Sequence, residues 1–197
     1  MLLFRQTDER WIKDSMTGED DFPNMKEKEI SARWEKHKNG KRNDTIGRYG
    51  CLITALCSAY CEKYNTTLRI PSKGNELMRY YKGYEALQDI SNCKPWGYME
   101  SNIVWAIAKM VFKIKNIDYY WTGEIDIKHP DYYYIARVPY DPQKIMSGHY
   151  CLITGNNPIK YHDTDSGVIR TDWNTRLKDK NGNLLYFMHR IEFEKSL

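Results

Sequence analysis

The sequence predicts an α+β fold, with helices in the first half of the chain and an antiparallel sheet in the second. Three observations carry that expectation. The stretch "CLITALCSAYCEKY" at 51–64 sets Leu52, Ile53, Leu56, Ala59 and Tyr60 at the spacing of a helix buried along one side. Beyond about residue 117 the character changes to β-branched and aromatic runs separated by clusters of Gly, Asn, Pro and Asp. No repeat or low-complexity linker divides the chain, and 197 residues with 41% apolar side chains suit one domain with its own core.

In order along the chain, residues 1–18 hold "FRQTDERW" and a turn-like "SMTG". A charge-mixed stretch follows, helix-compatible over 25–38 and loop-like at "KNGKRND"; with so few aromatics nearby it reads as a solvated surface excursion, not a nucleic-acid arm. After the helix at 51–64, Pro71 can open another, whose helical material continues over "KGNELMRYYKGYEALQDI" and breaks near Gly83. "SNIVWAIAKMVFK" at 101–113 predicts a third amphipathic helix, with Ser101 as its N-cap. The predicted strands are "IDYYW", "DYYYIARVPY", "GHYCLITG", "IKYHDTD" and "LLYFMHRIEFE".

Composition narrows the function classes. The net charge of +4 is the difference between 30 basic and 26 acidic residues, interspersed along the chain, and does not demand nucleic acid. Sixteen tyrosines and six tryptophans suit a groove for an extended or glycan-like ligand, and they suit an aromatic core equally well. Five cysteines, at 51, 57, 61, 93 and 151, are an odd number without paired C-x-x-C spacing, which argues for reduced thiols over a zinc ribbon or a complete disulfide framework. His162 and Cys151 near Asp163 do not repeat any metal-ligand spacing, and no cofactor or metal is expected. The apolar patch in "MLLFRQTDERW" is too short for a secretory core and no run approaches the roughly 20 residues of a membrane span, so the chain reads as cytoplasmic when synthesised, with any export needing another route.

The chemistry-bearing residues come in an informative order. Cys51 follows Gly50 and opens a helix, whose N-terminal N–H groups and partial positive charge favour thiolate over thiol. A lone cysteine there is more often structural, and Cys57 and Cys61 on other faces of the helix read as core. His149 begins "GHYCLITG", where alternation puts His149, Cys151 and Ile153 on one face of a strand. "YHDTDSG" then supplies Asp163 and Asp165, either of which can hold an imidazole in one tautomer. A three-residue hairpin loop at "GNN", 155–157, would set Asp163 opposite His149 and Asp165 a diagonal step away; a two-residue loop would oppose His149 to Thr164.

Taken together, "RQTDERW", "TIGRYGCLITALCSAY", "IPSKGNELM", "GHYCLITG" and "YHDTDSG" resemble the bacteriocin-processing (double-glycine) peptidase-like family of the papain superfamily, in the correct order over most of the chain. The resemblance implies a papain-like cysteine peptidase fold of N-terminal helices packed on a C-terminal antiparallel sheet. It also implies a Cys-His-Asp triad and an oxyanion-hole glutamine, which fall on Cys51, His149, Asp163 and Gln6. Thr164 stands where the family's commonest motif has proline, Gly167 keeps the glycine spacing, and the charged stretch near 19–44 looks like an insertion. Nothing resembles the transporter domains fused to the bacteriocin-processing members, so cleavage after a double-glycine leader is not implied.

The expectation is thus a single-domain cysteine hydrolase that cleaves an amide bond in a peptide or protein through an acyl-enzyme. Two alternatives stand beside it: a peptidoglycan amidase or endopeptidase, delivered to a bacterial cell wall by a phage or a bacterium, and a non-catalytic binding or virion protein retaining the fold. No membrane span and no nucleic-acid partner are expected.

Overall fold

A computed structural model describes residues 2–14, 16, 45–79, 98–99, 102–103, 105–120, 128–139, 148–155, 158–172 and 187–195. The charged stretch near 19–44, its expected helix at 25–38, the break near Gly83, Cys93 and Ser101 lie outside these residues. Four helices are described: α1 Ile46–Tyr49, α2 Cys51–Lys63, α3 Pro71–Arg79 and α4 Trp105–Val111. A two-stranded ladder joins β1 Tyr98–Met99 to β2 Asn102–Ile103, and a six-stranded sheet holds β3 Ile114–Tyr120, β4 Tyr132–Pro139, β5 Gly148–Gly155, β6 Lys160–Asp163, β7 Ile169–Arg170 and β8 Phe187–Phe193. The sheet runs β3-β8-β4-β5-β6-β7 with every neighbouring pair antiparallel, so the fold is α+β.

The expected helix over 51–64 matches α2, but its burial differs from a one-sided amphipathic pattern. Every residue from Ile53 to Cys61 is buried, Cys57 and Cys61 among them. A helix buried all round needs cover on each flank. The sheet provides one, through β4 and β5, and α3 packs on another. The N-terminal segment is tied down on a third, where the Phe4 backbone N–H donates to Ser58 Oγ at 3.0 Å and Ser58 returns its own hydroxyl proton to the Thr54 carbonyl. These bonds satisfy the Ser58 hydroxyl and the Phe4 N–H, either of which would be costly to bury unpaired, while the Thr54 hydroxyl beside them is buried without a hydrogen-bond partner among the described residues.

α3 begins on Pro71, at the first helical position where a missing N–H is tolerated. The third helix starts later than its pattern suggests. Asn102 and Ile103 pair with Met99 and Tyr98, so the backbone groups expected to open a helix at 101 are committed to a ladder, and α4 runs only from Trp105 to Val111. β7 is a two-residue strand that no periodicity announces; it forms because Ile169 and Arg170 fold back on His162 and Tyr161.

Alternate residues of the sheet serve two cores. Ile135, Leu152, Ile191 and Phe193 join α2 in the larger one, while Tyr134, Ala136, Val138, Cys151, Ile153, Tyr161 and Met188 form the second. Much of the aromatic content is spent here. Tyr60 meets Phe112 edge-on at 5.8 Å and Phe193 at 6.2 Å, and Trp11, Tyr134 and Tyr161 are buried.

Gly50 links α1 to α2 and has no room for a side chain. A Cβ there would lie 2.5 Å from the Ile46 carbonyl oxygen and 2.7 Å from Ile46 Cγ2, both inside the core. Gly50→Ala is expected to destabilise the fold by about 1–3 kcal/mol, the usual range for forced overpacking, read as a lower urea midpoint at unchanged slope. An unchanged midpoint would mean that α1 can shift away from α2 at no cost.

Candidate functional site

α2, the start of β5 and the end of β6 bring Cys51, His149 and Asp163 to one place. Cys51 is half-buried at the first position of α2, whereas Cys57, Cys61 and Cys151 are buried free thiols. His149 is the second residue of β5 and is buried. Its Nε2 lies 2.9 Å from Asp163 Oδ1.

The register that produces this contact is not the one expected from a three-residue loop. Gly155 belongs to β5 and pairs with Lys160, with a register shift beside it, and Asp163 lies opposite Cys151 instead of His149. The connection is therefore longer than "GNN", which slides β6 along β5 by two residues and keeps every side chain on its original face. Asp163 becomes the diagonal neighbour of His149, a separation that a histidine and an aspartate can span. Asp165 does not take the role: its side chain is exposed, and its contribution is a backbone N–H donated to Asp163 Oδ1 at 3.0 Å.

Asp163, 5% exposed, accepts four hydrogen bonds. Oδ1 takes the His149 ring and the Asp165 N–H; Oδ2 takes the Ser166 hydroxyl at 2.7 Å and Arg170 Nε at 2.9 Å. Burial opposes the charged form, but the bonds from His149, Ser166 and Arg170 outweigh it and hold the carboxyl well below the usual carboxylate range. An ionised carboxylate only accepts, so His149 Nε2 must carry the proton and donate. Thr164 gives its hydroxyl proton to the Tyr150 carbonyl at 3.0 Å and presents its oxygen 3.4 Å from the same Nε2.

Burial also opposes a charged His149, yet its pKa is raised, because the hydrogen-bonded Asp163 carboxylate, and after it the nearby Cys151 and Cys51 thiols, favour the imidazolium. Cys151, directly opposite Asp163, is pushed up by burial despite its bond with His149. Both thiols thus lie close enough to the imidazole to act on it, and of the two Cys51 is the partly accessible one.

Gly167 closes the turn after β6 at φ +76°, a conformation that side chains disfavour. Its N–H donates to the Asp163 carbonyl at 2.7 Å and Asp163 N–H donates to Val168 O at 2.9 Å, so the Asp-to-Gly spacing is turn chemistry that points the carboxylate back at β5.

Gln6 is buried beside α1. Its backbone N–H donates to Thr164 O at 2.6 Å, its Nε2 donates to Gly47 O at 3.1 Å, and Oε1 is buried without a hydrogen-bond donor. The N-terminal segment therefore bridges the start of the Cys51 helix and the end of the Asp163 strand, with the Trp11 indole N–H locked on the Arg5 carbonyl at 2.7 Å.

Ser166 and Arg170 complete the surroundings that sequence reading left out. Ser166 carries a signal, because a serine three residues after an aspartate in a turn often bonds back to it. Arg170 carries none, since its contact exists only once β7 folds onto β6. Among the described residues no cluster of His, Cys, Asp and Glu could hold a metal ion, and no helix is long and apolar enough to cross a membrane.

The buried histidines predict a pH dependence of stability. Burial lowers both His162 and His189 from 6.5 to about 4, so each takes up a proton on unfolding anywhere between those values. Stability should fall as pH drops from about 6.5 to about 4, by on the order of 3 kcal/mol per histidine, and level off below. The His149–Asp163 pair has the opposite signature at its histidine, whose raised pKa adds stability that is full below about 6.5 and is lost only at high pH. A thermal melt series from pH 7 to pH 4 checks the sign, with His162→Gln and His189→Phe each flattening it; a flat wild-type series would show that the folded state accepts these protons.

No protein-family model, no curated protein and no solved structure matches the chain.

Proposed function

We propose that the chain is a papain-like cysteine hydrolase that cleaves an amide bond, with Cys51 as nucleophile, His149 as general base and acid, and Asp163 as the group that orients it. The observation that carries this reading is the buried His149 Nε2 to Asp163 Oδ1 contact at 2.9 Å, with the half-buried Cys51 thiol, at the start of a helix, near enough to the same imidazole to help raise its pKa. With Nε2–H donated to Asp163, Nδ1 is the nitrogen that exchanges a proton with Cys51. The resemblance to the bacteriocin-processing peptidase-like family supports the same assignment.

In the first half-reaction Cys51 Sγ bonds to the carbonyl carbon as its proton passes to His149; His149 then protonates the leaving amine as the C–N bond breaks, leaving a thioester. Water, deprotonated by His149, attacks the thioester, the C–S bond breaks and the thiol recovers the proton. The developing oxyanion is received by the Cys51 N–H and the Gln6 amide, whose Nε2 keeps a second hydrogen beyond the one given to Gly47.

A peptidoglycan target is the second reading, favoured by a ring cluster near the site. Trp105 and Tyr119 lie 5.0 and 5.1 Å from His189, Tyr150 lies 5.8 Å from it, and the Cys51 thiol is close enough to Tyr150 to raise its pKa after burial has done so. Tyr119 is 51% exposed, which suits stacking on a sugar.

Iodoacetamide should alkylate Cys51 well before Cys57, Cys61 and Cys151, whose burial and raised pKa values protect them, as read by mass spectrometry of the folded chain. Zymography on denatured protein and on purified cell walls then separates the two substrates, with Cys51→Ala inactive on both. Clearing in neither gel by a folded protein would favour the non-catalytic binding reading.

Asp163→Asn should cut turnover by about a hundredfold or more through loss of the oriented imidazole, whereas Asp165→Asn, an exposed side chain, should leave it within about twofold. The reverse order in a steady-state assay would move the orienting role to Asp165.

A further inference from the structure

Asp163 is held from two sides, and the second side has no place in the triad. Oδ1 faces His149, while Oδ2 receives Arg170 Nε at 2.9 Å and Ser166 Oγ at 2.7 Å. Arg170 comes from β7, the edge strand, and its side chain is 35% exposed beside a carboxylate that is nearly sealed. An arginine whose only task was solubility would not aim Nε at a buried oxygen.

The remaining titratable and charged groups about Asp163 are few. β5 contributes His149 and Cys151, β6 contributes His162, the turn contributes Ser166 and the exposed Asp165, and the Arg5 side chain lies against Gly167 in that turn. His162 is neutral near pH 7. The Cys51 and His149 pair sums to zero charge whether the proton sits on sulfur or on nitrogen. Asp163 adds one negative charge and Arg170 one positive, so the four-residue cluster is neutral in both proton arrangements. Without Arg170 it would carry a buried net charge of −1, which favours uptake of an additional proton.

We propose that Arg170 is a positioning residue of the site, binding Asp163 Oδ2 so that Oδ1 serves His149 and balancing the cluster so that the proton shared by Cys51 and His149 is not supplemented by a second. This rests on the Cys51, His149 and Asp163 reading above. Arg170 touches no reacting atom. It acts through Asp163, and its removal moves the pH range in which the site works, upward, because deleting a nearby cation makes every remaining group hold its proton more tightly.

The test is the pH dependence of Cys51 alkylation by iodoacetamide, followed by mass spectrometry on the full chain, with circular dichroism as the check on folding. In Arg170→Ala and Arg170→Gln the pH at which Cys51 labelling reaches half its maximal rate should rise by about half to one unit, the modest size reflecting the partial exposure of Arg170. Arg170→Lys, which restores the charge, should return it to the wild-type value. A midpoint that stays put or falls in either folded neutral variant overturns the proposal. So does loss of the fold in both neutral variants with retention in Arg170→Lys, since Arg170 would then be a structural clamp. His149→Ala is the control for the underlying reading: if it labels as the wild type does, the pair itself fails, whereas a clear His149 dependence with an unmoved Arg170 series rejects only the role of Arg170.

Discussion

Burial of α2 on every flank is the constraint from which the rest follows. A helix with an apolar stripe can be covered by one sheet, but one whose residues from Ile53 to Cys61 are all buried must be enclosed. The sheet, α3 and the N-terminal segment divide that task. The enclosing segment also runs past the N-terminal end of α2, where it carries Gln6 to Gly47 on one side and to Thr164 on the other. Packing the helix and assembling the site are therefore one event, and the tight Gly50 link sets where Cys51 emerges.

Within the site the decisive quantity is the charge on Asp163. A carboxylate this buried is costly to ionise, and it stays ionised because four donors converge on it, one of them cationic. The turn that follows supplies two donors and the next strand a third. Besides adding Tyr161 to the second core, the β6–β7 hairpin thus converges on one side chain. His149 gains from this arrangement twice over, in orientation and in proton affinity.

The legible and illegible parts of this chain divide by the range of the signal. α2 and most strands of the sheet were visible because periodicity and residue type are local, and Pro71 announced α3 in the same way. α4 was over-extended because Asn102 and Ile103 are as compatible with a strand as with a helix, and only their partners at 98–99 decide. The β5–β6 register failed because it depends on loop length, and a loop longer by even one residue reassigns every cross-strand pair. Asp163 survived that error only because a shift of two preserves the face.

The sequence by itself determined the element types, the α+β class and the set of residues worth bringing together, Cys51, His149 and Asp163 with Gln6 upstream. The first three follow from residue type, short-range spacing and chain order, and Gln6 only from the family resemblance. Only the tertiary structure decided that α2 is enclosed, that Asp163 sits across from Cys151 while bonding to His149, and that Arg170 and Ser166 hold its other oxygen. Each of these is a contact between segments whose approach depends on packing, and packing acts through space, where neighbours in sequence carry no record of it.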